Sequence, residues 1–405
     1  MARSGLRSLP ATVIWLGIAS FFNDLSGEIV ARALPIYLAG TLGVTFAIIG
    51  LIEGIADFTS SILKIFSGWY SDKTGKRKLV TVIGYGMTAI ARPILYGVSS
   101  WVVPLVSRFT DRAGKGIRTS ARDALIAESV DTTNRGRAFG FQRALDPFGA
   151  VIGSLVAAAA IYYLQGQDIS SATTLSTSTF NTLIIISTFP TFIGVLLIIF
   201  FVKQRSHKPR RDTLALDAVK TVLANKRFRY FLLTLFIFTL GQSSDAFLVL
   251  RSQSLGISPA LIFIIFAMLN MVTTLSSYPF GSLSDRYSRR KIIRAAWFLY
   301  ALVYIGFAYA TESWHIWGLF VAYGVFYGMT EGVQKALVAD LVPDEHRGTA
   351  YGLFNATIGL GVLPASVVAG ALWEASGPET AFLYGAALAI IGAIMLSFVR
   401  FPHAR

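Results

Sequence analysis

The chain has 405 residues, of which 54% are hydrophobic and only 14% are charged, and its formal net charge is +14. Charged residues make up about a quarter of a soluble domain, so this composition excludes an ordinary soluble protein and indicates a chain surrounded by lipid. The absence of Cys excludes disulfides and thiolate metal sites, and we expect no metal site, since the four His residues fall in loops or near the ends of apolar segments.

Twelve apolar segments follow one another along the chain, each about as long as the roughly 20 helical residues that cross a bilayer. The predicted spans are 11–38, 45–69, 79–98, 102–126, 135–163, 180–203, 229–250, 257–282, 292–311, 315–339, 348–373 and 379–400. The polar stretch 204–228 predicts a cytoplasmic linker between an N-terminal half, 1–203, and a C-terminal half, 229–405. We therefore predict an all-α integral membrane protein with twelve transmembrane helices in two pseudo-symmetric halves of six.

Two sequence patterns occur twice, about half the chain apart. Residues 68–78 resemble residues 281–291, and residues 124–140 resemble residues 336–352 at almost the same offset. Two long repeats at one period indicate an internal duplication, which in a membrane protein is typical of transporters.

Basic residues divide unequally between the two sides of the predicted bundle. The N-terminus, the linker and the loops on their side carry nearly all of the loop Lys and Arg, whereas Arg251 stands on the other side. The positive-inside rule predicts that both termini are cytoplasmic. Most of the net positive charge then determines the orientation of the chain in the membrane, which argues against nucleic-acid binding.

The repeated loop resembles the signature of the major facilitator superfamily, G-x-x-x-D-[RK]-x-G-[RK]-[RK]-[RK], between the second and third helices. Gly68, Asp72, Gly75 and residues 76–78 match it in full. A second copy begins at Gly281 and has Ser288 in place of the second glycine. The resemblance implies the twelve-helix fold of that superfamily and secondary transport by alternating access.

The loop pattern predicts a gate on the cytoplasmic side. Gly68 permits a close helix approach, Asp72 can face a positive helix N-terminus, and Arg77 can pair with Asp123 or Glu128. The second copy offers Gly281, Asp285 and Arg289 for the same role.

Many charged and polar side chains fall inside the predicted spans, where a charge is costly and is a functional candidate. The candidates for substrate binding are Asn23, Asp24, Glu28, Arg32, Arg112, Arg118, Arg143, Asp146, Gln242, Asp245 and Glu331. The i, i+4 spacing also allows two simple ion pairs, Glu28 with Arg32 and Glu331 with Lys335, that only lower the cost of insertion.

Four residues, Asp24, Glu53, Asp57 and Arg112, are candidates for proton coupling. Arg112 begins an R-x-x-x-G pattern that resembles the superfamily motif, and the resemblance implies an arginine associated with proton transfer. Its expected partners are acids on the first two spans: Asp24, which we favour as the proton carrier, or Glu53, Asp57 or Glu28. An acid with a suitably tuned environment can bind and release a proton in each cycle.

Gly149 and Gly153 have the G-x-x-x-G spacing of closely packed membrane helices. The pattern also resembles, loosely, the antiporter motif of drug exporters. Close packing is the interpretation we prefer, because Pro147 precedes the glycines rather than lying between them.

Several substrate classes remain open on the sequence. The arginines favour a small organic anion or zwitterion, whereas the acids are compatible with a cationic drug or a divalent metal ion. A lipid translocase of the same fold and a transport-inactive receptor are further alternatives. Export is favoured, because the motifs resemble those of proton-coupled exporters.

No motif of an ATP-driven pump or a membrane hydrolase occurs, so we expect no enzymatic activity. We expect no cofactor, with the proton gradient as driving force, a monomer, and a multi-pass location in the plasma (inner) membrane.

Overall fold

The computed structural model describes residues 9–131, 135–165, 173–204, 216–343 and 346–398, with their side chains except those of Trp69, Asp72, residues 135–136 and 216–218, and Asp285. Its fourteen α-helices are α1 (Ala11–Gly40), α2 (Phe46–Thr74), α3 (Arg77–Ala91), α4 (Val102–Ser129), α5 (Arg135–Gln165), α6 (Thr177–Phe201), α7 (Leu216–Ala224), α8 (Lys226–Leu240), α9 (Ala246–Ser254), α10 (Pro259–Arg286), α11 (Arg289–Tyr309), α12 (Ser313–Leu341), α13 (Arg347–Ser376) and α14 (Pro378–Ser397). The described residues contain no β-strand, which confirms the predicted all-α class.

Eight of these helices are long and apolar enough to cross a membrane: α1, α2, α5, α6, α10, α11, α13 and α14. Among the other predicted spans, α3, α8 and α9 are short, α4 carries a row of charges, and α12 has 29 residues but is less apolar than these eight. Together the helices cover all twelve predicted spans.

The seventh predicted span is two helices rather than the continuous helix expected over 229–250. α8 ends at Leu240 and α9 begins at Ala246, and the intervening segment contains a glycine, two serines and Asp245. The hydroxyl of Tyr300 donates to the Gly241 carbonyl at 3.1 Å, and the Ser244 N–H donates to Ser366 Oγ at 3.2 Å. Side chains thus satisfy backbone groups that the break releases, the condition under which non-helical backbone is tolerated at membrane depth.

Two other boundaries differ from the prediction. The third span ends at Ala91 instead of residue 98, because Pro93 follows and starts a short 3-10 turn. Inside the predicted linker 204–228, α7 forms over Leu216–Ala224 and α8 already begins at Lys226. Residues 205–215 of that linker lie outside the described residues.

The two halves pack against each other through pairs of helices that the duplication relates. α2 packs along α13, and α5 packs along α10, while α1 contacts α9 and α10 near the centre. Since α10 repeats α2 and α13 repeats α5, these two main contacts are equivalent. This arrangement agrees with the predicted pseudo-symmetry, and the exact domain boundaries remain a prediction.

We call the end of the bundle where α2 and α4 end the basic end, because the repeated basic loops lie there, and the other the opposite end. The halves meet closely at the opposite end. Gly50 of α2 is pressed against the backbone of Ser366 in α13, and the Phe46 N–H donates to Glu374 Oε2 at 3.0 Å. The Gln253 amide donates to the Thr173 carbonyl at 2.9 Å. This end is therefore closed.

Close helix packing explains the G-x-x-x-G spacing in α5. A Cβ atom at Gly149 or Gly153 would collide with the carbonyl oxygens of Phe21 and Leu25 in α1. The preferred interpretation, close packing, is confirmed at these two glycines.

Candidate functional site

A cavity of about 940 Å³ lies between the two halves, at the middle of the bundle. Every residue that the sequence singled out for substrate binding or proton coupling lines it: Asn23, Asp24, Glu28, Arg32, Glu53, Asp57, Arg112, Arg118, Arg143, Asp146, Gln242, Asp245 and Glu331. The position of these residues agrees with the expectation, and their roles stay predictions.

Arg32 joins the two halves on the side of the cavity nearer the opposite end. Its guanidinium donates to Glu28 at 2.9 Å within α1 and lies 3.5 Å from Asp245 at the start of α9. The hydroxyls of Tyr323 and Tyr327 donate to the same carboxylate of Asp245, at 3.1 and 3.2 Å. Glu28 and Arg32 are thus an ion pair as expected, and the pair also reaches across the interface.

Glu53 lies in a buried network within the N-terminal half. Arg108 holds its carboxylate with two hydrogen bonds, one of them 2.9 Å from Nε to Oε1, and the Glu53 side chain is only 5% exposed. Asp111 forms ion pairs with Arg92, at 3.1 Å, and with Arg108, at 3.7 Å. Two acids and two bases compensate each other here, as buried charges require.

Arg112 pairs with Asp57, one of the four partners that the sequence offered. The Arg112 Nε atom lies 3.4 Å from Asp57 Oδ1, and the Asp57 side chain is 32% exposed to the cavity. Asp24 instead accepts a hydrogen bond from Asn23 at 3.3 Å and has no cation within 4.0 Å among the described residues.

Asp146 belongs to a third group of charges, centred on Arg122 of α4. Arg122 lies 3.0 Å from Asp123 and 4.0 Å from Asp146, and it donates to Ser20 Oγ at 2.9 Å. Gln142 donates to Asp146 from one turn earlier in α5. Asp123 is therefore engaged by Arg122, not by Arg77 as one alternative predicted.

Glu331 pairs with a partner other than the expected one. It lies 3.4 Å from Arg143 of the other half, and both side chains are 53% exposed. The Glu331–Lys335 ion pair that the spacing allowed is not formed, since the helical spacing brings the two residues to one face but does not fix the direction of the carboxylate. The half-exposed pair also indicates that the cavity opens toward the basic end.

Each repeated loop makes the same ion pair inside its own half. Arg77 pairs with Glu128, the second of its two predicted partners, and Arg289 pairs with Asp340. Asp340 was not among the predicted gate residues, although it stands at the same repeat offset from Glu128 as Arg289 does from Arg77. These two contacts join helices within a half in this conformation.

Neither signature glycine, Gly68 or Gly281, lies at a close helix contact. A Cβ atom at Gly68 would touch Ser120 of α4 at 3.4 Å, and one at Gly281 would meet no atom within 4 Å. The predicted close approach at Gly68 is therefore an ordinary contact within one half. The side chains of Asp72 and Asp285, also predicted for the gate, lie outside the described residues.

The turn after the first signature differs from that after its copy. Gly75 ends α2 with φ of 66°, a left-handed conformation that favours glycine, whereas Ser288 has φ of −57°. The replacement of glycine by serine in the second copy therefore coincides with a different backbone conformation at this turn.

Several cavity residues were not predicted as site residues. They are Lys64, Arg92, Arg108, Asp111, Lys115, Asn270, Tyr327 and Lys335. All eight carry a recognisable signal, because each is a charged or polar group inside a predicted span. Tyr327 also precedes Glu331 by one helical turn. No three His, Asp or Glu side chains of the described residues are grouped as metal ligands would be.

A bundle of two related six-helix halves, with a charged cavity between them that is closed at one end, is the architecture of a membrane transporter. The sequence profile of the Major Facilitator Superfamily matches residues 16–251 and 230–405. The chain belongs to this superfamily.

Relatives and solved structures agree with that assignment. An uncharacterised MFS-type transporter of Methanocaldococcus jannaschii is 37% identical over 403 residues, which covers 97% of this chain and 96% of the relative. The crystal structure of the nucleoside transporter NupG aligns with a TM-score of 0.75 at 18% identity, over 95% of this chain and 98% of NupG. The human organic anion transporter MFSD10 aligns with a TM-score of 0.66 at 14% identity, over 95% and 99%. At these identities the two structures show the shared fold.

Proposed function

We propose that the protein is a proton-coupled secondary transporter that exports a small organic anion or zwitterion by alternating access. The observation that carries the proposal is the charge of the cavity. Most acids of the lining have an arginine partner, whereas Lys64, Lys115 and Lys335 have no carboxylate within 4.0 Å among the described residues. An electropositive cavity attracts anions.

Proton coupling is proposed for Asp24 and for the Asp57–Arg112 pair. Asp24 lines the cavity without a cationic partner, and Asp57 reaches it while it contacts Arg112. Protonation of Asp57 would neutralise its carboxylate and leave Arg112 without a counter-ion, so that one proton raises the net charge of the cavity wall by one and releases Arg112. Glu53 is the weaker candidate, because Arg108 already holds it in a buried pair.

Alternating access would exchange the two sets of contacts between the halves. The conformation described is closed at the opposite end, where Gly50 meets Ser366 and Arg32 contacts Asp245. We propose that the basic end is cytoplasmic and that the repeated loops approach each other when the opposite end opens. Export then starts with substrate binding from the basic end, as in the present conformation.

Solute uptake into liposomes tests the substrate class. Purified protein should move radiolabelled carboxylates or phosphomonoesters faster than protein-free liposomes do, and should leave cationic dyes, divalent metals and fluorescent phospholipids unmoved. Movement of a cationic dye or a metal, with no anion moved, would contradict the anion assignment. Transfer of phospholipid alone would favour the lipid translocase.

A further inference from the structure

Four cations line the cavity without a carboxylate partner. They are Lys64 of α2, Lys115 and Arg118 of α4, and Lys335 of α12. None has a carboxylate oxygen within 4.0 Å among the described residues, although carboxylates are frequent in the same lining. The three lysines are half-buried, and Arg118 is 4% exposed. Uncompensated charges at membrane depth are costly, so they require a ligand, water or a function.

Helix packing brings two of the lysines together. Gly116 lets α4 approach α2 closely, since a Cβ atom there would lie 2.8 Å from the Ser60 carbonyl oxygen. One turn further along α4, Ser120 donates to the Lys64 carbonyl at 2.8 Å. Lys115 precedes Gly116 in this closely packed part of α4, and both Lys64 and Lys115 line the cavity.

Arg118 is fixed in place on the same helix. Its guanidinium donates to Thr88 Oγ1 at 2.8 Å and lies 4.7 Å from the centre of the Tyr85 ring. Neither contact neutralises its charge, so Arg118 adds a fixed positive charge to the wall that holds Lys115.

Lys335 adds a cation from the other half. It lies one turn after Glu331, whose carboxylate is taken by Arg143. Lys64 and Lys115 line the cavity from the N-terminal half and Lys335 lines it from the C-terminal half, so three like charges border one space and repel one another. A ligand that binds all three would reduce this repulsion and draw α12 toward α2 and α4.

The charges of this region do not cancel. The lining holds nine cations and eight carboxylates, and one excess acid belongs to the group of Glu28, Arg32 and Asp245 nearer the opposite end. Around the three lysines, the four unpaired cations face the unpaired carboxylate of Asp24 and one excess acid in the group formed by Arg122, Asp123 and Asp146, which leaves a local surplus of two positive charges. A monoanion would leave one of them uncompensated.

We propose that Lys64, Lys115 and Lys335 form the binding site for a dianionic organic substrate, that is, a dicarboxylate or a phosphomonoester. Phosphomonoesters carry a charge of about −1.5 to −2 at pH 7, which matches the surplus. The site includes residues of both halves, so the bound dianion bridges them. This inference rests on the proposal that the transported solute is an anion.

Binding of defined probes to the purified protein tests the inference. The probes are succinate and glycerol 3-phosphate as dianions, with lactate and the methyl ester of succinate as monoanions of similar size. Calorimetry should give saturable binding of at least one dianion, and weaker binding of its matched monoanion. Lys64→Gln, Lys115→Gln and Lys335→Gln should each weaken dianion binding about tenfold or more.

The control variant removes the same charge elsewhere. Lys226→Gln changes an exposed lysine at the start of α8 that does not line the cavity, and it should leave dianion binding unchanged. The Lys→Arg variants keep the charge and should retain most of the affinity. A thermal unfolding scan of each variant separates loss of binding from loss of folding.

Lysophosphatidic acid, added as a third type of probe, distinguishes a lipid headgroup from a soluble solute. Lysine-dependent binding of this lipid without binding of glycerol 3-phosphate would keep the phosphate chemistry and identify its source as a lipid. Dianion binding that is unaffected in all three Lys→Gln variants, or monoanions bound as tightly as dianions, would overturn the inference.

Uptake of monoanions without dianion binding would overturn the dianion site and leave the proposed anion transport intact. Absence of any anion uptake would instead contradict the proposed function itself.

Discussion

At the residue scale, the charged side chains of the cavity wall differ in how completely each is compensated. Glu53 and Arg108 are buried, with side chains 5% and 3% exposed, whereas Arg143 and Glu331 are each 53% exposed. Breaking a buried pair leaves a charge without water, whereas breaking an exposed pair returns both groups to solvent. Loss of the buried pair should therefore lower stability more than loss of the exposed pair.

Replacing Arg108 by Ala should lower the free energy of unfolding by about 3–5 kcal/mol, because it leaves the Glu53 carboxylate buried and unpaired. Replacing Arg143 by Ala should change it by about 0–1 kcal/mol, since its pair is half-exposed. Equilibrium or thermal unfolding in detergent micelles compares the two variants. Equal losses in both would show that burial does not rank these pairs.

Much of the residue-scale picture follows from sequence, since each candidate that was chosen for its charge or polarity inside a span lines the cavity. Pairing was harder to predict. Arg112 pairs with Asp57 out of four possible acids, and Glu331 pairs with Arg143 instead of Lys335. The pairing depends on the rotation of each helix about its axis and on the depth of each side chain in the bundle. An i, i+4 spacing in the sequence specifies neither of these.

At the element scale, contacts between α2 and α13 close the opposite end through small residues. Gly50 lies against Ser366, and a Cβ atom at Gly54 would lie 3.0 Å from the Leu363 carbonyl oxygen. By contrast, Gly153 packs within the N-terminal half, against Leu25. A larger side chain should therefore have different effects at Gly50 and at Gly153.

Replacing Gly50 by Leu should shift the protein away from the closed opposite end. Overpacking costs about 1–3 kcal/mol, which changes a two-state ratio by about 5- to 150-fold. Because the chain has no Cys, a single Thr274→Cys reporter in the cavity measures the shift by its labelling with a maleimide that does not cross the membrane. Labelling from the opposite end should rise.

Gly153→Leu is the matched control, because its clash lies inside one half and is present in both conformations. It should lower stability without a change in the side from which Thr274→Cys is labelled. Unchanged labelling in Gly50→Leu would contradict the role assigned to the α2–α13 contact.

The break in the seventh span could not be predicted from composition. The flanking apolar runs predicted one helix over 229–250, but Gly241 and the polar residues up to Asp245 interrupt it. The interruption places Gln242, Ser243 and Asp245 in the cavity wall. Side-chain acceptors and donors from distant helices stabilise the break, and sequence spacing does not reveal them.

At the scale of the whole molecule, the apolar segments predicted the number of spans, and the duplication predicted the relation between the halves. Both repeats reappear as equivalent structures, with Arg77–Glu128 in one half and Arg289–Asp340 in the other. The conformation could not be predicted in this way, since one sequence serves both ends of the transport cycle.

A disulfide across the opposite end should lock the transporter. A Cβ atom at Gly54 would lie 3.5 Å from the Ser366 Cβ atom, which is within the range of about 3.5–4.5 Å for disulfides. Oxidised Gly54→Cys/Ser366→Cys protein should lose solute uptake and regain it on reduction. Each single variant provides a control, and uptake that persists after complete cross-linking would exclude opening at this end as a step of transport.

Proton movement in sealed liposomes that contain the purified protein, followed with a pH-sensitive dye during an imposed anion gradient, tests the central claim most directly. We predict proton flux that depends on the anion, is lost in Asp24→Asn, and is retained in Asp131→Asn, which changes an exposed loop carboxylate outside the cavity lining. Anion movement without proton flux, at the same rate in wild type and Asp24→Asn, would contradict proton-coupled transport through this cavity.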